Sequence, residues 1–221
     1  MRSKLFVAGG SGFIGSAVCQ CADAMGHDVI SLSRRGRPDL SAAWVDRIQW
    51  ISAGVFDVER WQPHMQDCAA IIYCIGIILE RPNEHATYQR INTEAAITMA
   101  DAAAAANVGA YVHISVSRKP PLIPAAYLAT KRSAEQRLQS YPFRTAILRP
   151  GAVYGPRRRW SYILKAIFDA LALLPSRRAD FPLAVREVAT AALVAATHPG
   201  ITGVLDVPAI RDTARSNKPT V

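Results

Sequence analysis

The stretch Leu5-Phe6-Val7-Ala8-Gly9-Gly10-Ser11-Gly12-Phe13-Ile14-Gly15 decides the fold. An unbroken apolar run enters a loop with glycines at positions 9, 12 and 15. A strand that feeds such a turn and then a helix can seat a dinucleotide pyrophosphate on the helix N-terminus. Gly9 permits the tight turn out of the strand. Gly12 removes the Cβ that would obstruct the phosphates, and Gly15 lets the helix pack closely on the sheet. Ser11, Phe13 and Ile14 complete the loop. A glycine triplet alone is a weak signal; the strand before it and the helix after it supply the context the motif requires.

Strands and helices alternate outward from this stretch. Strands are expected at Lys4–Ala8, Asp28–Ser33, Ile48–Ala53, Ala69–Ile75, Ala110–Ser115, Phe143–Leu148 and near Gly203–Val207. Helices are expected at Phe13–Met25 (ended by Gly26), Leu40–Asp46, Glu59–Met65, Glu84–Ala106, Ala126–Ser140, Trp160–Leu174 and Val185–Thr197. The apolar strand Ala69–Ile75 suits burial on both faces. This rhythm predicts an α/β fold, a doubly wound, mainly parallel sheet with a small helical C-terminal lobe. Residues 1–150 form the dinucleotide-binding core, 151–208 a small lobe completing the same domain, and 209–221 a flexible polar tail. At 221 residues the chain has material for one such domain with a good core.

The second strand ends Ser31-Leu32-Ser33-Arg34-Arg35, without the carboxylate that holds a ribose 2′-hydroxyl in NAD sites. A guanidinium there can stack on adenine and pair with a 2′-phosphate, so Ser33, Arg34 and Arg35 favour NADP(H). Asp57, with Val58, follows the third strand, where a carboxylate can accept from the adenine amino group or cap the next helix. Ile75 and Gly76, closing the fourth strand, let backbone approach the cofactor.

Tyr127 and Lys131 stand four apart on one helix face. An ammonium beside a phenol can lower its pKa until it serves as acid or base near neutrality. Ser115 and Ser117, at the end of the fifth strand, are candidates to orient a carbonyl or alcohol. The cysteines Cys19, Cys21, Cys68 and Cys74 lack metal-ligand spacing and are expected to be reduced. His113 is expected to be buried with its ring nitrogens satisfied. No pair of histidines has metal-site spacing, so no metal is expected.

The formal charge is +9, with 26 Lys and Arg against 17 Asp and Glu. Between Arg118 and Arg144 the count is six basic to one acidic, and between Arg149 and Glu187 it is eight to three. No recognition helix or RNA-binding motif accompanies this charge, which counts against a nucleic-acid partner. A basic face toward an anionic cofactor, an acidic partner subunit or an anionic lipid surface fits better. Arg157-Arg158-Arg159 and Arg177-Arg178 bracket the apolar face of helix 160–174, which could lie on an anionic membrane or pack as a lid. No apolar run reaches the length a membrane-spanning helix needs. The first strand begins near residue 4, leaving no visible targeting segment.

The glycine loop, Asn92, Tyr127-Leu-Ala-Thr-Lys131 and Leu148-Arg149-Pro150-Gly151 together resemble the extended and atypical short-chain dehydrogenase/reductases, over nearly the whole chain to about residue 208. Ile77-Ile78-Leu79-Glu80 and Pro121-Leu-Ile-Pro-Ala-Ala-Tyr127 are similar to a branch holding the NADPH-binding accessory subunit of mitochondrial complex I, a fungal coenzyme Q biosynthesis protein and plastid relatives. The resemblance implies a Rossmann fold with NADP(H) lined by Gly9, Ser11, Gly12, Phe13, Ile14, Arg34, Ser115, Tyr127, Lys131 and Pro150, with Gly151 alongside. It also implies a mitochondrial, matrix-side place in a respiratory or quinone-biosynthesis assembly, with plastid or cytoplasm as alternatives. The nucleotide would be structural, or would serve an oxidoreductase acting on a small carbonyl or quinone-related substrate through Tyr127, Lys131 and one of the two serines. A basic RNA- or lipid-binding surface on the same scaffold is a third reading. Val116 interrupts the family's serine run, and the short chain beyond Gly151 argues against a sugar-nucleotide lobe.

Overall fold

Strand β1 (Lys4–Ala8) lies inside the sheet, as its apolarity requires, paired in parallel with β2 (Asp28–Ser33) on one side and β4 (Ala70–Tyr73) on the other. The computed structural model describes residues 2–118, 123–157 and 182–216. With β3 (Gln49–Ser52), β5 (Ala110–Ile114), β6 (Arg144–Leu148) and β9 (Gly203–Leu205), these strands form a seven-stranded sheet of order β3-β2-β1-β4-β5-β6-β9. Every pairing in it is parallel. The two-residue strands β7 (Val153–Tyr154) and β8 (Leu183–Ala184) pair separately, also in parallel.

Alternation along each strand sorts the core into two layers. Leu5, Val7, Ala70, Ile72, Val112 and Ile114 face α1 (Phe13–Ala24) and α6 (Val185–Thr197). Phe6, Ala8, Ile71, Tyr73 and Tyr111 face the opposite layer, which holds α3 (Val58–Trp61), α4 (Ala95–Ala105) and α5 (Ala125–Leu138). A short α2 (Ala43–Arg47) precedes β3. The alanine face of α4 brings it close enough for the Tyr111 hydroxyl to donate to Ala96 O at 3.1 Å. Strand order reverses between β1 and β4, and ligands of such sheets bind in the crevice beyond the carboxyl ends there.

Three expectations change. The helix expected from Glu84 starts five residues later, as a π-helical turn Gln89–Glu94 leading into α4. Before it, Glu80 accepts the Tyr88 N–H, Arg81 pairs with Ala86 and His85 takes a left-handed φ of 54°, so residues 81–86 fold as a tight loop. The tail expected to be flexible from residue 209 is helical to Ser216: α7 (Val207–Ser216) buries Val207, Ile210 and Ala214 against the α6 layer. Asp206 caps it through the Ala209 N–H at 3.0 Å. His113 is fully buried, but neither ring nitrogen has a partner among the described residues. The ring stacks on Tyr73 at 5.4 Å instead, and burial holds its pKa well below the ordinary range. The cysteines are unpaired, as expected, with Cys19 in the core and Cys21 half-buried on another side of α1. Helix 160–174 and the arginines at 158, 159, 177 and 178 lie outside the described residues. No described helix is long and apolar enough to cross a membrane.

Candidate functional site

The glycine loop lies at the strand-order reversal. Gly9 has φ +87°, a conformation that only glycine enters without strain, and its N–H donates to Leu32 O at 2.7 Å. A Cβ on Gly9 would also meet Ile75 at 3.1 Å, so the ends of β1 and β4 touch here. Gly15 is the most constrained glycine of the motif. A Cβ there would stand 2.2 Å from Gly9 O and 2.9 Å from Gly10 Cα, both backbone atoms of the turn. Gly12 is exposed and faces only Gly9 O, at 3.0 Å, which leaves open space on the crevice side. No side chain caps α1, and its first turn carries no acidic residue. An uncapped positive helix end above a backbone-lined hollow fits a diphosphate. The sequence pattern did not single out Gly10, yet its added Cβ would strike Ser31 Oγ at 1.9 Å and Cys19 Sγ at 2.9 Å.

At the end of β2, Arg34 and Arg35 are exposed, and their side chains make no hydrogen bond or ion pair among the described residues. Both are therefore available to an anion. The Ser33 hydroxyl is not: it is buried and donates to Gly36 O at 2.8 Å, holding the turn that presents the arginines. Ser52 ties this turn to β3 by donating to Arg34 O at 3.2 Å. Asp57 does not cap the helix starting at Val58; its carboxylate reaches back to accept the Gly54 N–H at 2.8 Å.

Tyr127 and Lys131 share one face of α5, and both are buried. The ammonium expected beside the phenol is hydrogen-bonded to backbone. Lys131 Nζ donates to Ile114 O at 3.3 Å and lies under Gly76, where an added Cβ would meet it at 2.9 Å and Asn92 Oδ1 at 3.3 Å. Gly76 thus makes room for the ammonium. Burial pushes the Tyr127 phenol up rather than down, with a smaller push from Tyr88. Burial also pulls Lys131 down to about 8, against the opposing pull of Glu135 and Cys74.

The two serines have different surroundings. Ser115 donates to the carboxylate of Glu135, which is only 2% exposed and also receives Arg132 and Arg149. Arg132 Nη2 continues to Val116 O at 3.0 Å and Ser117 O at 2.9 Å. The Ser117 hydroxyl is buried without a partner among the described residues, beside Gly151, and its N–H donates to Pro150 O at 2.9 Å. Ser115 therefore belongs to the frame of the β5–α5 loop, while Ser117 keeps its hydroxyl free. Sequence reasoning passed over Glu135, although it is the single acidic residue between Arg118 and Arg144 and stands one turn after Lys131. Arg157, placed by sequence in a surface cluster, instead donates to Ser11 O at 3.5 Å across the glycine loop.

The buried ammonium has a stability consequence. Its folded-state pKa lies below the ordinary lysine value of 10.5, so the unfolded chain binds more protons between about pH 8 and 10.5. The burial penalty is complete below pH 8 and is relieved as pH rises through that window. Lys131→Met is expected to stabilise the ligand-free protein by about 2 kcal/mol at pH 7, with the gain vanishing toward pH 10.5. Urea unfolding of variant and parent at several pH values measures this difference, in which the titration of the other thiols and phenols cancels. A variant less stable than the parent at pH 7 would contradict it.

An uncharacterized chloroplastic protein of Arabidopsis thaliana is 38% identical over 159 residues, 70% of this chain. The match takes in 52% of that relative, so the chain spans about half its length. MIOREX complex component 2 of Saccharomyces cerevisiae is 28% identical over 79% of this chain and 81% of its own. Among solved structures, the UDP-glucuronic acid 4-epimerase of Bacillus cereus in complex with NAD shares the fold, with a TM-score of 0.69 at 21% identity over 92% of this chain and 76% of that one. The model of the NAD dependent epimerase/dehydratase family matches residues 5–202, from β1 to the entrance of β9, and the chain belongs to that family.

Proposed function

We propose that the protein binds NADP(H) in the crevice between the ends of β1 and β4. We further propose that it serves as an accessory nucleotide-binding subunit of an organellar assembly linked to complex I or quinone metabolism. The observation that carries the nucleotide reading is the Gly9–Gly15 turn, a backbone hollow under an uncapped helix end, closed against any side chain at Gly15. The Bacillus cereus neighbour was solved with NAD, and the family is described as NAD dependent. The preference for the 2′-phosphorylated cofactor rests on Arg34 and Arg35, the exposed cations at the end of β2, where no carboxylate stands. The accessory role rests on the resemblance of residues 77–80 and 121–127 and on a yeast relative that is a component of a complex. A chloroplastic relative supports an organellar location.

Gly9, Ser11, Gly12, Phe13, Ile14 and Gly15 would hold the pyrophosphate, with Arg157 above Ser11 as a further cation. Ser33, Arg34, Arg35, Asp57 and Val58 flank the adenosine end. Ile75, Gly76, Ser115, Tyr127, Lys131, Pro150 and Gly151 flank the nicotinamide end. A bound nicotinamide dinucleotide supplies a hydride donor or acceptor. A working oxidoreductase is the second reading, favoured by the unpartnered Ser117 hydroxyl next to Gly151 and by the buried Tyr-x-x-x-Lys pair. In that reading Tyr127 carries the proton, Lys131 holds the ribose and tunes the phenol, and Ser117 orients the substrate oxygen.

The test is a fluorescence titration with NADPH and NADH. The unaltered protein is expected to bind NADPH at least tenfold more tightly. Arg34→Ala is expected to weaken NADPH about tenfold, roughly 1.4 kcal/mol, while leaving NADH within twofold. Equal affinity for both dinucleotides before substitution would contradict the cofactor assignment.

A further inference from the structure

We propose that the compound admitted beside Tyr127 is a lipophilic carbonyl compound, held by apolar contact and anchored through its oxygen alone; this rests on the reading of that crevice as a nicotinamide nucleotide site. The ring of Tyr127 is packed among Tyr88, Val116, Ile77, Ile123 and Leu128, an apolar cluster separate from the two core layers. Tyr88 meets Tyr127 edge-on at 5.7 Å. The following residues, Ile78 and Leu79, carry the apolar surface outward and are 43% and 69% exposed.

This exposure is built in rather than incidental. The fully buried Asn92 spends both ends of its amide on Ile77, accepting its N–H at 3.0 Å and donating to its carbonyl at 3.3 Å. The Tyr88 hydroxyl donates to Ile78 O at 2.8 Å, and the Glu80 carboxylate holds the Tyr88 N–H. A loop pinned this firmly could have turned its apolar residues inward; instead it presents them at the mouth. The charges of the loop are satisfied within it, Glu80 on backbone and Arg81 on Glu84 at 3.0 Å. The Ser117 hydroxyl, next in sequence to Val116 of this cluster, has no partner among the described residues, and the Tyr127 phenol belongs to the cluster itself. Two hydroxyls suit one carbonyl oxygen. A sugar nucleotide brings several hydroxyls and a diphosphate, and this wall would strip their water without replacing it.

Binding of 2-acetylnaphthalene and of UDP-glucose to the full chain, by calorimetry with and without NADPH, tests this. The ketone is expected to bind at least tenfold more tightly than UDP-glucose. The double variant Ile78→Asn, Leu79→Asn is expected to weaken the ketone about tenfold, with NADPH affinity and thermal midpoint unchanged. UDP-glucose binding as tightly as the ketone, no ketone binding, or a double variant with unchanged ketone affinity would each overturn the proposal. A protein that binds NADPH and refuses the ketone overturns only this inference. One that refuses NADPH overturns the nucleotide reading beneath it.

Discussion

Gly15→Ala is expected to lower nucleotide affinity at least 100-fold and to destabilise the ligand-free protein by about 3 kcal/mol. The added methyl would stand 2.2 Å from Gly9 O and 2.7 Å from Gly9 C, inside the backbone of the turn itself. Backbone cannot swing aside as a side chain does, so either α1 lifts from the sheet or the turn opens. Both responses displace the amides that face the crevice, and the opening of the turn also pulls on the Gly9 hydrogen bond to Leu32 O. Gly200→Ala is the control: nothing lies within 4 Å of its added Cβ, and neither property should change. Chemical denaturation and NADPH titration of both variants make the measurement. Gly15→Ala with parental affinity would mean that the hollow beneath α1 is not where the nucleotide sits.

Glu135→Ala is expected to cost about 3 kcal/mol, and Glu135→Gln about half as much. The carboxylate is 2% exposed and gathers one hydroxyl and two guanidiniums. Removing it leaves Arg149, whose side chain has no other hydrogen-bond partner among the described residues, and breaks the link from Ser115 to α5. The guanidiniums are 28% and 31% exposed, so water screens part of the loss and the figure stands at the low end for a broken buried pair. Glutamine keeps the shape and one acceptor for the arginines. The measurement is the shift in urea midpoint at constant slope. A cost below 1 kcal/mol for the alanine variant would show that the cluster does not brace the β5–α5 loop.

Elements whose apolar pattern was complete were legible in the sequence. β1 and β2 stand where the alternation placed them, and so does helix Val185–Thr197. Misreadings came where a side chain competes with the helical period. Glu80 takes the Tyr88 amide and delays the helix after β4, a bond no periodicity reveals. The terminal helix did carry signals, Asp206 before Pro208 and apolar residues at 207, 210 and 214, but its charged face made the segment read as a solvated tail. In the site, the glycine loop could be read because each glycine answers to backbone geometry. Ser115 and Ser117 could not be ranked, since their difference lies in Glu135 and Arg132 of α5 and in Arg149 after β6, which come together only in the folded chain. The direction of the Lys131 ammonium was hidden for the same reason: Ile114 O and Gly76 meet it only in the folded chain.

Backbone amide shifts on addition of NADPH to the isotopically labelled full chain test the central claim most directly. The largest changes are expected at Gly9 to Gly15, at Arg34 and Arg35, and at Ile75 and Gly76, with smaller ones around Tyr127 and Lys131. NADPH that leaves the Gly9–Gly15 amides unmoved, or that shifts only residues remote from the ends of β1 and β4, would contradict it.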